Sequence, residues 1–234
     1  MNDIVTAPKI SASLAAHIHP GAKVQLSESV AMLLREQIIS GKLKKGDFLR
    51  IDSIATEFGV SSTPVREGLL LLLNEAFVKL IPRRGFIVTG FSKDDLRDLF
   101  WTQATIGAEL TARATTRMTD EDIQELQHFH QEHGRAVAAG DQSEATALGH
   151  AFHRKINLAA NSPRLAQILG SLTKQLPNRF YASIEGQLKG SVEYHTMIVD
   201  AIRMRDPDSA RALMFRHIFT AVEHLIASLD DNQS

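Results

Sequence analysis

The chain has 234 residues, 44% hydrophobic and 23% charged, enough apolar material for a buried core along most of its length, which excludes wholesale disorder. The length suits a small module joined to a domain of about 140 residues. With no cysteine, disulfides, thiolate metal sites and cysteine nucleophiles are excluded. No apolar run nears the ~20 residues of a membrane span, and the opening MNDIVTAPKI lacks the order of a signal peptide, so a cytoplasmic protein with no membrane partner is expected. The net charge of -1 hides a split: residues 1–90 carry 11 Lys+Arg against 8 Asp+Glu, and residues 91–234 carry 15 against 19. A mildly basic head on an acidic body suits a nucleic-acid reader with a control domain.

Residues 1–24 show no sustained period and contain Pro8, Pro20 and Gly21, which predicts a mobile tail. From Ser27, the residues Val30, Leu33, Leu34 and Ile38 recur at helical spacing until Gly41, giving a first helix. A shorter helix is expected from Asp52, with Ile54, Ala55 and Phe58 inward and Gly59 as its left-handed exit. A third starts within SSTPVREG, where Ser61, Ser62 or Thr63 can cap and Pro64 is harmless in the first turn, and runs to about Glu75. Two short runs rich in strand formers, Phe77–Ile81 and Gly85–Thr89, flank Pro82-Arg83-Arg84 and predict a β-hairpin with a basic tip.

After Gly90 the pattern changes to long amphipathic helices. Leu96, Leu99, Gln103, Ile106 and Leu110 form one stripe of a helix over 93–117, opened by Ser92 with Asp95 as a capping box. Thr119 caps the next, ending near Gly140, and Asp141 with Glu144 opens another, ending near Asn161. Ser162-Pro163 and Asp206-Pro207 are further cap-plus-proline starts. About six helices with short connections make an antiparallel bundle. The expected fold class is therefore mainly α, with domains at 25–90 and 91–234 after the tail.

Helix, short helix, turn, helix and a two-stranded wing is the layout of a winged helix-turn-helix, whose third helix enters the major groove of DNA. Ser61, Ser62 and Thr63 place hydroxyls and free backbone N–H groups at a helix start, where a phosphate is favoured. Arg66, one turn in, can donate two parallel hydrogen bonds to a guanine edge. Arg35 and Arg50 are candidate phosphate contacts. Arg83, Arg84 and Gly85 bring the wing tip to the minor groove, Gly85 permitting close backbone approach.

The segments LLREQIISGKLKKGDFL, IATEFGVSSTPVREGLLLL and FVKLIPRRGFIV, in this order and spacing, resemble the GntR family of bacterial transcription regulators. Ser62 stands where that family commonly has arginine, and Phe48 replaces another frequent arginine, which implies an operator different from the usual half-site. The body, with IGAELTARAT around Glu109, GHAFHRKINLAAN at 149–161 and EYHTMIVDAIRMRDPDSARALMFRHI at 193–218, resembles the FadR-type effector domain abbreviated FCD. That resemblance implies a divalent metal held by one Asp and three His, the histidines here being His153, His195 and His217. The family's Asp position is Gly149, and His150, three residues before His153, is the substitute on the same face. The family's pocket arginine is replaced by Thr105.

Neutral imidazoles suit zinc or nickel better than magnesium, and no organic cofactor is expected. His128, His130, His133 and His224 read as ordinary core or surface residues. Helix phase offers Gln103, Glu109, Arg113, Asn157, Arg179 and Tyr181 as effector contacts. Together these features read as a non-enzymatic regulator, a repressor in expectation, whose homodimer binds a two-fold symmetric DNA operator under control of a small organic acid in the bundle. Two alternatives stay open: a metal-dependent hydrolase using the three histidines with Glu109 as base, and a DNA-binding dimer whose bundle takes no effector.

Overall fold

In the computed structural model the structure describes residues 23–176 and 189–231. They fall into two compact units dividing between Ser92 and Lys93. In the first, α1 (Lys23–Ile39) is followed by β1 (Phe48–Leu49), α2 (Ile51–Phe58), α3 (Ser62–Asn74), β2 (Val78–Ile81) and β3 (Gly85–Val88). Residues 23 and 24, placed in the expected tail, already belong to α1; the rest of that tail lies outside the described residues.

Val30, Leu34 and Ile38 on α1 meet Val65, Leu69 and Leu72 on α3, all buried. Their spacing puts each trio on one stripe, so α1 and α3 pack along their length. Gly68 sits at the tightest point, where a Cβ would lie 2.9 Å from the Ser27 carbonyl oxygen. Helix α2 ends as its sequence predicts: Gly59 takes φ 66°, and the N–H of Val60 reaches back to the Ala55 carbonyl at 3.0 Å, a left-handed cap that glycine adopts without strain.

The wing differs from expectation by one strand. The sheet has three strands in the order β1-β3-β2, Phe48 pairing Ile87 and Leu49 pairing Phe86, while β2 pairs β3 from Val78↔Val88 to Ile81↔Gly85. The two-residue β1 is too short to show alternation, so only the hairpin was legible in the sequence. The tip is a turn in which the Arg84 N–H donates to the Ile81 carbonyl at 3.0 Å and Arg83 takes φ 64°. Proline second and a positive φ third is the pattern of a type II turn.

The second unit contains α4 (Lys93–Arg117), α5 (Asp120–Ala139), α6 (Gln142–Ala159), α7 (Pro163–Thr173), α8 (Lys189–Arg203) and α9 (Pro207–Asp231). Helix α4 occupies the span its apolar stripe predicts. Thr119 and Asp122 form a reciprocal capping box at the start of α5, Asp141 accepts from the Glu144 N–H at the start of α6, and Asp206 accepts from the Ser209 N–H at the start of α9. Leu110, Leu126, Phe152, Ile156, Ile198 and Ile202, from α4, α5, α6 and α8, form the center of one buried core. Helix α9 lies along α4, and α5 packs on both α6 and α8. No described helix is long and apolar enough to cross a membrane.

Candidate functional site

In the first unit, Ser61 is the N-cap residue of α3, with extended backbone and a hydroxyl that makes no capping bond. Ser61, Ser62, Thr63 and Arg66 are all exposed, while Pro64 and Val65 between them are buried. The helix start thus turns its apolar side inward and its donors outward, together within one turn. Arg50, the residue before α2, is exposed, as are Arg83 and Arg84 at the wing tip. Gly85 takes φ 95°, a conformation that favours glycine.

Arg35 is placed otherwise than expected. Its side chain is 8% exposed, its Nε donates to Glu75 Oε2 at 2.5 Å and its Nη2 to Glu75 Oε1 at 2.8 Å. This bidentate pair joins α1 to the residue that ends α3 and engages two of the three guanidinium nitrogens. The structure thus places Arg35 in a structural ion pair at the core edge.

In the second unit, α6, α8 and α9 bring His153, His195 and His217 to one point. His217 Nε2 lies 3.1 Å from His195 Nε2 and 3.1 Å from His153 Nε2. Packing orients the rings: Phe152 stacks on His195 with centroids 4.1 Å apart, and His153 stacks on His217 at 5.1 Å. His195 and His217 are buried and His153 half-buried. Two imidazole nitrogens about 2.1 Å from a common ion are separated by about 3.0 Å at a right angle and about 3.4 Å at the tetrahedral angle, so both separations from His217 fit a shared divalent ion. All-imidazole donors suit zinc and nickel. The same spacing also suits two N–H donors, on His153 and His195, shared by one His217 lone pair. Gly149 is buried on α6 and has no side chain to offer. His150 is exposed and outside the three-histidine cluster, so it does not replace the missing carboxylate.

His153 and His217 also line a cavity of about 570 Å³, within the range of small-molecule sites. Of the expected effector contacts, Gln103 and Asn157 line it. Glu109 and Arg113 do not: Arg113 Nε donates to Glu109 at 2.7 Å, Arg211 Nη2 donates to its other oxygen at 3.1 Å, and Arg113 also reaches Ser162 Oγ at 3.0 Å. The hydrogen bond from Arg113 is the main reason the Glu109 carboxyl is held below the usual carboxylate range. Arg179 and Tyr181 lie outside the described residues.

Residues 26–88 match the family of bacterial regulatory proteins called gntR, and residues 98–220 match the FCD domain. The chain belongs to the GntR family. It is 26% identical over 192 residues to the HTH-type transcriptional regulator McbR of Escherichia coli, covering 80% of this chain and 87% of that protein. It is 25% identical to the gluconate operon transcriptional repressor of Bacillus licheniformis, covering 76% of each. The solved structure of E. coli McbR superposes with a TM-score of 0.60 at 24% identity over 89% of this chain and 99% of that one, a likeness of fold.

GntR members carrying this FCD domain are transcription regulators, not enzymes, and the hydrolase alternative loses its base as well: Glu109 is bound by two arginines outside the cavity. Helix phase missed Arg154 and Lys174, both exposed and both on the cavity wall. Arg154 carried a usable signal, since it lies four residues after His150 and one after His153 on the helix that supplies the polar wall. Lys174 follows the end of α7 and has no such periodic cue.

Proposed function

We propose that this GntR regulator is a repressor that binds a two-fold symmetric operator as a homodimer and leaves it when a small organic acid occupies the bundle cavity. The domains would divide the work at residue 90, the head reading DNA and residues 91–234 pairing subunits and taking the effector. One small head makes too few contacts to find a site among genomic competitors, and pairing two multiplies specificity. Arg66 reads a base edge from α3, Ser61, Ser62 and Thr63 hold a phosphate at that helix start, and Arg50, Arg83, Arg84 and Gly85 fix the register of the duplex. The repressors among its relatives support the sign.

One observation carries the effector half: three imidazoles from three helices meet, His217 lying 3.1 Å from each of the other two, and His153 and His217 line a 570 Å³ cavity. His153, His195 and His217 would hold a divalent ion, zinc or nickel, whose Lewis acidity gives a carboxylate oxygen a strong contact. Asn157 and Arg154 would orient that carboxylate, and Gln103 would bound the cavity floor. Effector and operator then oppose each other with a coupling of about 1–3 kcal/mol, and each weakens the other by the same factor. The test is selection of genomic fragments by the purified protein, with zinc or chelator and a panel of acids. Enrichment of an inverted repeat, released about 5–150-fold more readily with one acid, supports the reading; no preference over random competitor DNA overturns it.

A further inference from the structure

The cavity walls differ in chemistry. Helix α6 supplies His150, His153, Arg154 and Asn157, a spacing of three, four and seven residues that forms one stripe. The walls from α4, α7 and α9 include Phe100, Gly107, Leu169, Gly170, Met214 and Ile218, none with a hydrogen-bonding side chain, with polar groups there at His217 on α9 and at Thr173 and Lys174 where α7 ends. Gln103 also lies on the α4 wall, but its amide nitrogen donates to the Leu172 carbonyl at 3.3 Å. A guest rich in hydroxyls would therefore press most of them against carbon, which is costly.

Gly107 adds a feature of size. A Cβ there would lie 2.9 Å from Ile218 Cδ1 and 3.9 Å from both Leu169 Cδ2 and Met214 Cγ. These three side chains line the cavity, so the missing methyl leaves room in its apolar part. A side chain at 107 would push Ile218 toward the guest.

Resting on the effector reading above, we infer that the cavity takes an amphiphilic carboxylate: the anionic head sits on the α6 stripe, the hydrocarbon body lies against Phe100, Leu169, Met214 and Ile218, and Gly107 sets the length of body admitted. A polyhydroxy acid of equal length is discriminated against because most of its hydroxyls meet the apolar walls.

Calorimetric titration of the full chain in zinc-supplemented buffer tests this with octanoate, butyrate and an eight-carbon polyhydroxy monocarboxylate. A buried methylene is worth about fourfold in affinity, so octanoate is expected to bind on the order of a hundredfold tighter than butyrate and at least about tenfold tighter than the polyhydroxy acid. Gly107→Ala, which favours the helix, is expected to keep or raise the melting temperature while weakening octanoate by about three- to tenfold and butyrate by less than twofold. Failure of octanoate to bind, equal affinity for the polyhydroxy acid, or an equal loss for both chain lengths in Gly107→Ala overturns the inference. Operator selection on the same preparation separates the two readings: an enriched operator with no octanoate binding refutes the ligand class alone, whereas no enriched operator refutes the regulator reading.

Discussion

The Arg35–Glu75 pair makes a prediction opposite to the one its sequence suggests. Both nitrogens of the fork are engaged, at 2.5 and 2.8 Å, with side chains only 8% and 17% exposed. Removing one partner of a fully buried pair costs about 3–5 kcal/mol, because the other is stranded without a counter-charge. Glu75 keeps some access to water, so Arg35→Met is expected to cost about 2–3 kcal/mol, just below that range. In a head of about 70 residues this lowers the melting temperature by roughly 10–20 °C. Arg35→Met combined with Glu75→Leu replaces the pair by apolar groups of similar volume and is expected to recover most of the loss. Differential scanning calorimetry of the full chain reads the head's transition, and DNA titration at several salt concentrations reads the phosphate contacts. A melting temperature unchanged in Arg35→Met, with the salt slope lowered by about one unit, would refute the structural role and restore the phosphate role.

Three further outcomes are expected. Arg66→Ala loses about 1–3 kcal/mol of discrimination at one base position per half-site, which randomized-site selection measures; a uniform loss at all positions contradicts it. His195→Ala falls from about one zinc per chain to none under equilibrium dialysis while selected operator fragments still bind, and retained zinc removes His195 from the site. Lys155 joins α6 to Asp122 at 2.7 Å and Glu125 at 2.5 Å on α5, and its hydrogen bond is the main cause that depresses the Asp122 carboxyl below its ordinary value of 3.8. A depressed carboxyl adds stability above its ordinary value that is lost as pH falls through the lowered one. Lys155→Met is therefore expected to cost about 0.2–1 kcal/mol at neutral pH, with the difference from the parent shrinking below pH 4, as urea unfolding at stepped pH would record.

What the sequence disclosed and what it withheld follow from the range of the forces involved. The span of α4, the cap at Thr119 and the exit at Gly59 each depend on neighbours within a few residues, and each was legible. Glu75 lies 40 residues from Arg35, so no local pattern warned that this arginine was engaged. Periodicity placed Gln103 and Asn157 on the cavity but also suggested Glu109 and Arg113. Those two are themselves an acid–base pair four residues apart, the spacing at which side chains on a helix meet, and that signal favoured mutual pairing over a ligand. The three histidines depended on the family resemblance, since nothing in their separation along the chain dictates that they converge. Gly107 gave no sign of its role, because only the tertiary neighbours of a glycine tell what its missing methyl leaves open.

The wing tip, finally, combines Pro82, a closing hydrogen bond of 3.0 Å and an arginine held at φ 64°. A flexible loop would lose conformational freedom at the moment it met a duplex, whereas this one has already lost it during folding. On the proposed reading, contact of Arg83 with a groove would then need reorganisation mainly of its side chain.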